Sequence, residues 1–316
     1  MDRKNNGLVF LDMKKEIGTK IEELKNKHST IILAHNYQIP EVQDIADFVG
    51  DSLDLAMRAT KTDAKNIVFC GVNFMAESAK ILNPDKNVII PDIDARCPMA
   101  DMVNSEDLMK LKNNNPDAEV VAYINTTAEI KTLSDICCTS SNGAKIVKNS
   151  SSEKVIFIPD RHLGAYIQRL VPDKEMILWP GLCPTHHQIR KEDILKLKKL
   201  HPEAEILVHP ECRLEVIDIA DYAFSTNGMV NYARKSDNKE FIIGTEKGLC
   251  HRLKKENPDK IFYPVKSAVC PNMKKITLEK VLNSLRTLEP QIKLSDEVIE
   301  KARKPLQRMM KVGRGD

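Results

Sequence analysis

No CxxC spacing occurs anywhere in the 316 residues, although the chain carries eight cysteines. That excludes a zinc ribbon, a thioredoxin-type redox pair and a ferredoxin cysteine run. Aromatic residues make up only 5% of the chain, and Lys and Arg are scattered, leaving a formal charge of +3. Without a basic stripe interleaved with aromatics, no nucleic-acid partner is expected. No run approaches the ~20 apolar residues of a membrane span, so no membrane partner is expected either. The first residues, "MDRKNNGLVFLDMKKEIG", have neither an apolar core nor a small-residue cleavage site. A signal peptide is therefore not expected, and the expected location is the cytoplasm. No Gly/Ser linker or low-complexity tract divides the chain. What remains is a globular composition, 42% hydrophobic and 29% charged. Its cysteines read as thiols or metal ligands rather than as a disulfide framework.

Against these absences stands one triplet that occurs three times. Pro-Asp-Lys lies at 84–86, 172–174 and 258–260, in steps of 88 and 86 residues. Aligning the chain on it brings further segments into register. "TIILAHNYQIPEVQDIADFVGDSLDLA", "AEVVAYINTTAEIKTLSDICCTSSNGAKIV" and "AEILVHPECRLEVIDIADYAFSTNGMVNYA" each run from an apolar strand through a polar loop into helical patterns. "NIVFC", "KVIFI" and "EFIIG" are second strands opening into helices, and "NVIIPDI", "EMILWPG" and "IFYPVKS" are third strands after the triplet. Continuous apolar strands alternating with helices predict a parallel sheet covered on both faces. The units read as 28–110, 111–197 and 198–282. A helical lead over 1–27 and closing helices over 283–316 pack on their core. Without linkers, the three α/β units are expected to gather around a pseudo-threefold axis. The triplet itself reads as a turn: Pro stops a helix, and Asp-Lys leads into the last strand.

The repeat puts polar residues in register. After the first strands come His35, Tyr123 and His209, and a hydroxyl follows each 17 residues on: Ser52, Ser140 and Thr226. Cysteines follow 62, 60 and 61 residues on, at Cys97, Cys183 and Cys270, each as Cys-Pro. In parallel sheets such positions fall at the carboxyl ends of strands, where functional groups gather. A lone cysteine is most simply a small buried hydrophobe. Three in register favour a metal instead: a [4Fe–4S] cluster with one iron left open, or zinc with an open position. The other five cysteines do not recur and read as structural. The hydroxyls read either as helix N-caps or as anion-binding groups at helix starts, with Ser141 and Ser225 as adjacent alternates. The first-strand ends also offer Asn36, Tyr37, Asn125 and Glu211. Glu211 is the only acid among them and so the candidate general base. Tyr37 and the histidines are candidates for proton transfer and positioning. "PDRHLG" (159–164) and "GTEKGL" (244–249) are expected to line the same cleft.

"AHNYQIPEVQDIADFVGDS", "CGVNFMAESAKIL", "CPMADM", "YINTTAEIKTLSDICCTSSNGAKIV", "HPEC" and "CPNMKKITLEKVLNSL" together closely resemble the quinolinate synthase family, in order, over residues ~20–290. The resemblance implies three homologous three-layer α/β/α domains, each giving one cysteine to a [4Fe–4S] cluster. It implies a transferase that condenses iminoaspartate with dihydroxyacetone phosphate. Phosphate and two waters are lost, giving quinolinate for NAD biosynthesis. By motif, Cys97, Cys183 and Cys270 correspond to cluster ligands. His35, Ser52, Tyr123, Asn125, Ser140, His209, Ser225 and Thr226 correspond to substrate-binding residues, and Tyr37 with Glu211 to the catalytic pair. The pathway implies an L-aspartate-oxidising enzyme as a transient partner. Two departures stand out. Some members carry CxxCxxC at the third ligand, whereas "SAVCPNM" here predicts no disulfide switch. Arg96 and Pro98 flank Cys97 where small residues are frequent. Two other classes compete with this reading: a metal-binding structural protein without activity, and a metal-free phosphosugar-binding module.

Overall fold

A computed structural model describes residues 2–316, with side chains from residue 15 onward. Its strands are β1 (Thr30–His35), β2 (Phe48–Gly50), β3 (Asn66–Cys70), β4 (Asn87–Ile89), β5 (Glu119–Tyr123), β6 (Ile136–Cys138), β7 (Lys154–Ile158), β8 (Glu175–Leu178), β9 (Glu205–Val208), β10 (Tyr222–Ala223), β11 (Glu240–Gly244) and β12 (Ile261–Pro264). They form three separate sheets of four, ordered β2-β1-β3-β4, β6-β5-β7-β8 and β10-β9-β11-β12, with every pair parallel. The three units thus share one topology. The inner strands are apolar because helices cover both of their faces: β1 and β3 are buried at every residue. Such continuous burial is what parallel sheets require.

Each sheet has one more strand than the sequence pattern predicts. β2, β6 and β10 are only two or three residues long, too short to show a period of their own. An aspartate pins each of these edges. Ile32 N–H donates to Asp47 Oδ2 at 2.7 Å, Val120 N–H to Asp135 Oδ2 at 2.8 Å and Ile206 N–H to Asp221 Oδ2 at 2.7 Å. The recurring Asp of "IADF", "LSDI" and "IADY" is therefore the hook joining first strand to edge strand.

The Pro-Asp-Lys triplet makes the expected turn and does something further. The helices before it end at Leu82, Leu170 and Glu256, and the residues just past them share one backbone geometry: φ/ψ −134/67° at Asn83, −132/68° at Val171 and −134/73° at Asn257. Each triplet lysine then turns back into its unit. Lys86 Nζ reaches Thr62 O, Lys174 Nζ reaches Ser150 O and Ser152 O, and Lys260 Nζ reaches Ala233 O and Ser236 O. These carbonyls end the preceding helix or follow it, where they lack intrahelical partners and suit a cation.

The lead helix (Asp2–His28) packs on the helix Leu278–Thr287. The last helix (Asp296–Val312) lies across the helices Asn73–Leu82 and Ala128–Thr132, bridging the first two units through buried Ile299, Ala302, Leu306 and Met309. Beyond it, Gly313–Asp316 runs on to the third unit.

Candidate active site

Equivalent strand ends from all three units meet at one cavity, as a pseudo-threefold arrangement requires. It is lined by Cys97, Cys183 and Cys270, by His35, Tyr37, Tyr123, Asn125, His209 and Glu211, and by Ser52, Ser140 and Thr226. Ser225, immediately behind Thr226, lies outside that lining, as do the other sequence candidates Asn36 and Ser141. Among the described residues, no Lys or Arg lines the cavity. Anions entering it meet N–H and O–H donors and helix starts rather than side-chain cations.

The helix starts clarify the role of the hydroxyls. Ser52 and Thr226 are first helical residues, and the capping is done by their predecessors. Asp51 accepts from Asp54 N–H at 2.9 Å, and Ser225 Oγ accepts from Gly228 N–H at 3.1 Å. Ser140 lies two residues before Asn142, which precedes the helix Gly143–Lys148. None of the three ring hydroxyls is thus consumed as a cap, although Thr226 Oγ1 accepts from Asn36 Nδ2 at 2.8 Å. Asn125 adds a buried Oδ1 atom with no hydrogen-bond partner in the protein. A buried acceptor of this kind is one that a donor from outside the chain would complete.

Around Glu211 the polar groups form a chain. Tyr37 Oη lies 2.6 Å from Thr245 Oγ1, and Thr245 Oγ1 lies 2.8 Å from His186 Nε2. His186 Nδ1 lies 2.6 Å from Glu211 Oε2. Tyr123 Oη donates to Glu211 Oε1. With His186 donating from Nδ1 and accepting at Nε2, one consistent orientation runs Tyr37 to Thr245 to His186 to Glu211. The two residues matched to the family's catalytic pair are thus joined by a hydrogen-bond relay. Thr245 comes from the "GTEKGL" loop, but neither that loop nor "PDRHLG", both expected to line the cleft, contributes to the cavity lining; Thr245 reaches it from behind Tyr37 and His186. His186 was not foreseen, and its one signal was its place three residues after Cys183 in "CPTHH". The equivalent positions hold Ala100 and Met273, so nothing recurs to mark it.

Burial sets the proton inventory. It pushes Tyr37 and Tyr123 well above the usual phenol range, and the nearby Glu211 charge adds to the effect, so both stay protonated. Burial alone would raise Glu211. The His186 and His209 rings and the hydrogen bonds from His186 and Tyr123 outweigh it and hold the carboxyl below its ordinary value. Burial also holds His35 and His209 down to about 3, with the neighbouring His186 ring contributing to both. Both rings are therefore neutral. Their Nδ1 atoms accept backbone N–H bonds from Tyr37 (3.2 Å) and Glu211 (3.3 Å), which places the ring proton on Nε2. His209 Nε2 then donates to Ser140 Oγ at 3.1 Å.

The geometry of the cysteines bears on the metal they fit. Among the described residues, the group whose ligand atoms all lie within 4.8 Å of one another is Cys183, His186 and Glu211, and the three cysteines do not form such a group. Zn–S bonds of 2.3 Å need sulfurs only about 3.8 Å apart. Three thiols spread more widely around one cavity fit a multi-iron cluster better than a single zinc. Burial raises all three thiols, Cys97 to about 12, so a bound cation is needed to hold them as thiolates.

Comparisons with known proteins give the family. A family model described as quinolinate synthetase A protein matches residues 19–311. The chain belongs to the quinolinate synthase family. It is 56% identical to the quinolinate synthase of Thermodesulfovibrio yellowstonii, over 92% of this chain and 96% of that protein. It is 52% identical to that of Caldicellulosiruptor saccharolyticus, over 96% and 100% of the two chains. It is 53% identical to that of Methanosarcina barkeri, over 94% and 98%. No described helix is long and apolar enough to cross a membrane.

Proposed function

We propose that the chain is a quinolinate synthase, a cytoplasmic transferase of NAD biosynthesis. It condenses iminoaspartate with dihydroxyacetone phosphate to quinolinate, releasing phosphate and two waters. The observation that carries this reading is the relay from Tyr37 to Glu211, closed on the same cavity as three recurring cysteines. Cys97, Cys183 and Cys270 hold a [4Fe–4S] cluster, which when bound supplies a Lewis-acidic iron without a protein ligand.

The chain's own residues do the rest. Ser52, Ser140 and Thr226 bind the carboxylates and phosphate, with helix-start N–H groups behind them. Neutral His35 presents an Nε2–H donor, neutral His209 gives its own to Ser140 Oγ, and neither ring repels a cationic iminium. Asn125 Oδ1 accepts a substrate O–H or N–H. A proton leaving the substrate is taken at Tyr37 Oη. The relay passes a proton through Thr245 and His186 Nε2 and delivers one from His186 Nδ1 to Glu211. The buried carboxylate thereby acts as base at a distance, and reversing the chain returns a proton to a leaving hydroxyl. Buried walls exclude water from the reactive imine. Iminoaspartate is supplied by an enzyme that oxidises L-aspartate.

Anaerobic purification and reconstitution test the reading. About four irons and four sulfides per chain, with quinolinate formed from the two substrates, are expected for such a cluster. A second reading follows from the compact Cys183–His186–Glu211 group, which could hold one divalent ion. One zinc per chain, no acid-labile sulfide and no product would replace the first reading with the second.

A further inference from the structure

The cysteine loops are tied down by a device that the threefold repeat leaves incomplete. In every unit the chain just past the second inner strand (β3, β7 or β11) bonds to the loop carrying the cysteine. Asn73 N–H donates to Ala95 O at 2.8 Å, Arg161 N–H to Gly181 O at 2.9 Å and Lys247 N–H to Ala268 O at 2.9 Å. Each accepting carbonyl stands two residues before a cysteine of the cavity. The residues immediately preceding those donors are therefore equivalent, and they are Val72, Asp160 and Glu246.

The two acids are wholly buried, at 0% exposure, and each divides its oxygens in the same way. Asp160 Oδ1 accepts the N–H groups of His162 (2.7 Å) and Leu163 (3.0 Å) at the start of the next helix, while Oδ2 accepts Cys183 N–H at 3.2 Å. Glu246 Oε2 accepts Gly248 N–H at 2.7 Å, while Oε1 accepts Cys270 N–H at 3.2 Å and pairs with Lys274 Nζ at 2.9 Å. One oxygen holds the helix start and the other holds the amide of the cysteine. Val72 is as buried as these acids but offers no acceptor.

We propose that Asp160 and Glu246 are positioning residues for Cys183 and Cys270, and that Cys97, which lacks this clamp, is the ligand released first when the cluster breaks down. The inference rests on the cluster reading above. Fixing the amide of a ligand fixes its backbone torsions, so the sulfur is presented without further loss of entropy. The ligand whose amide no acid holds keeps more freedom to leave, so it is the one that lets go most readily.

The full-length protein, prepared anaerobically, is compared with Asp160→Ala, Glu246→Ala and Val72→Ala. Iron transfer to a chelator is followed by loss of the cluster absorbance, and freed thiols are trapped by alkylation and located by mass spectrometry. The three cysteines are all half-buried, so the order of labelling reports release rather than access. We expect the two acid variants to lose iron about ten-fold faster or more, and Val72→Ala to stay within about two-fold of the parent. Cys97 is labelled first in the parent, and Cys183 moves to the front in Asp160→Ala. Where an alanine variant does not fold, Asp160→Asn and Glu246→Gln keep size and one acceptor oxygen, and an intermediate rate is expected. Parent-like rates in the acid variants, or Cys183 or Cys270 labelled first in the parent, would overturn the proposal. A parent that takes up no iron would instead overturn the cluster reading. Amide exchange on the same samples then still decides the clamp, since protection at Cys183 and Cys270 no greater than at Cys97 would remove it.

Discussion

At the wall of the cavity where Glu211 sits, the polar groups are partnered by other groups of the same wall. Tyr123 and His186 hold the carboxylate, Thr245 holds His186, and Tyr37 holds Thr245. The wall of hydroxyls is built differently. Its helix starts are braced from behind by the last four residues of the chain. Asn142 Nδ2 donates to Gly313 O at 2.9 Å, and Gly315 N–H to Ser141 O at 2.9 Å. Arg314 pairs with Asp51 (2.8 Å) and Asp54 (3.2 Å) and donates to Ser225 Oγ at 3.0 Å. One short tail thus touches the capping residues of equivalent helices in all three units. The contrast separates two kinds of dependence. On the proposed function, the first wall would govern proton transfer and turnover, and the second would govern where the substrate anions bind.

Breaking the first wall at its end has the largest expected effect. Glu211→Gln keeps the shape but removes the proton acceptor, and we expect kcat to fall by roughly 10²–10⁴-fold. Iron content and absorbance stay unchanged. A variant that retains turnover with its cluster intact would show that the relay ends elsewhere. Thr245→Val is the finer cut, because it leaves both Tyr37 and Glu211 in place and removes only the hydroxyl between them. A fall in kcat of about ten- to a hundred-fold is expected, with recovery in Thr245→Ser. If valine and serine behaved alike, Thr245 would be packing rather than relay.

These sites also show where sequence reasoning reaches and where it stops. Cys97, Cys183 and Cys270 could be selected from eight cysteines because a repeat states each position three times. His186 and Thr245 are stated once, so register was silent about them. The capping residues Asp51 and Ser225 stand one residue before the hydroxyls, a distinction that rests on backbone torsions rather than on residue type. The edge strands β2, β6 and β10 are pinned by a recurring aspartate, yet are too short to carry a period. Arg314 lies outside the repeat and more than 250 residues from Asp51, so only the folded chain brings them together.

The second wall is tested from the tail. Removal of residues 313–316, or Arg314→Ala, leaves Asp51 uncompensated at the cavity edge and Ser225 without its second donor. The KM for dihydroxyacetone phosphate is expected to rise about ten-fold, the scale of a charge-assisted hydrogen bond, while kcat changes by less than about three-fold. Arg314→Lys keeps the charge without the fork and should fall between. A loss confined to kcat would place the tail in the chemistry and erase the contrast between the walls.

The smallest effect is one of pH. Asp54 is pushed up to about 6, by burial first and by the neighbouring Asp51 second, and Arg314 offsets only part of this. Unfolded, an aspartate titrates near 3.9. Between these values the folded state holds more protons on Asp54 than the unfolded state does. Stability therefore falls as pH rises through that window, the reverse of an ordinary paired carboxylate. Asp54→Asn removes the titration while leaving an acceptor for Arg314 Nη1. The thermal midpoint of the variant, less that of the parent, should climb from about pH 4 to about pH 6 and then level. A flat difference would mean that Arg314 neutralises Asp54 fully, and that the tail holds its helix start by charge alone.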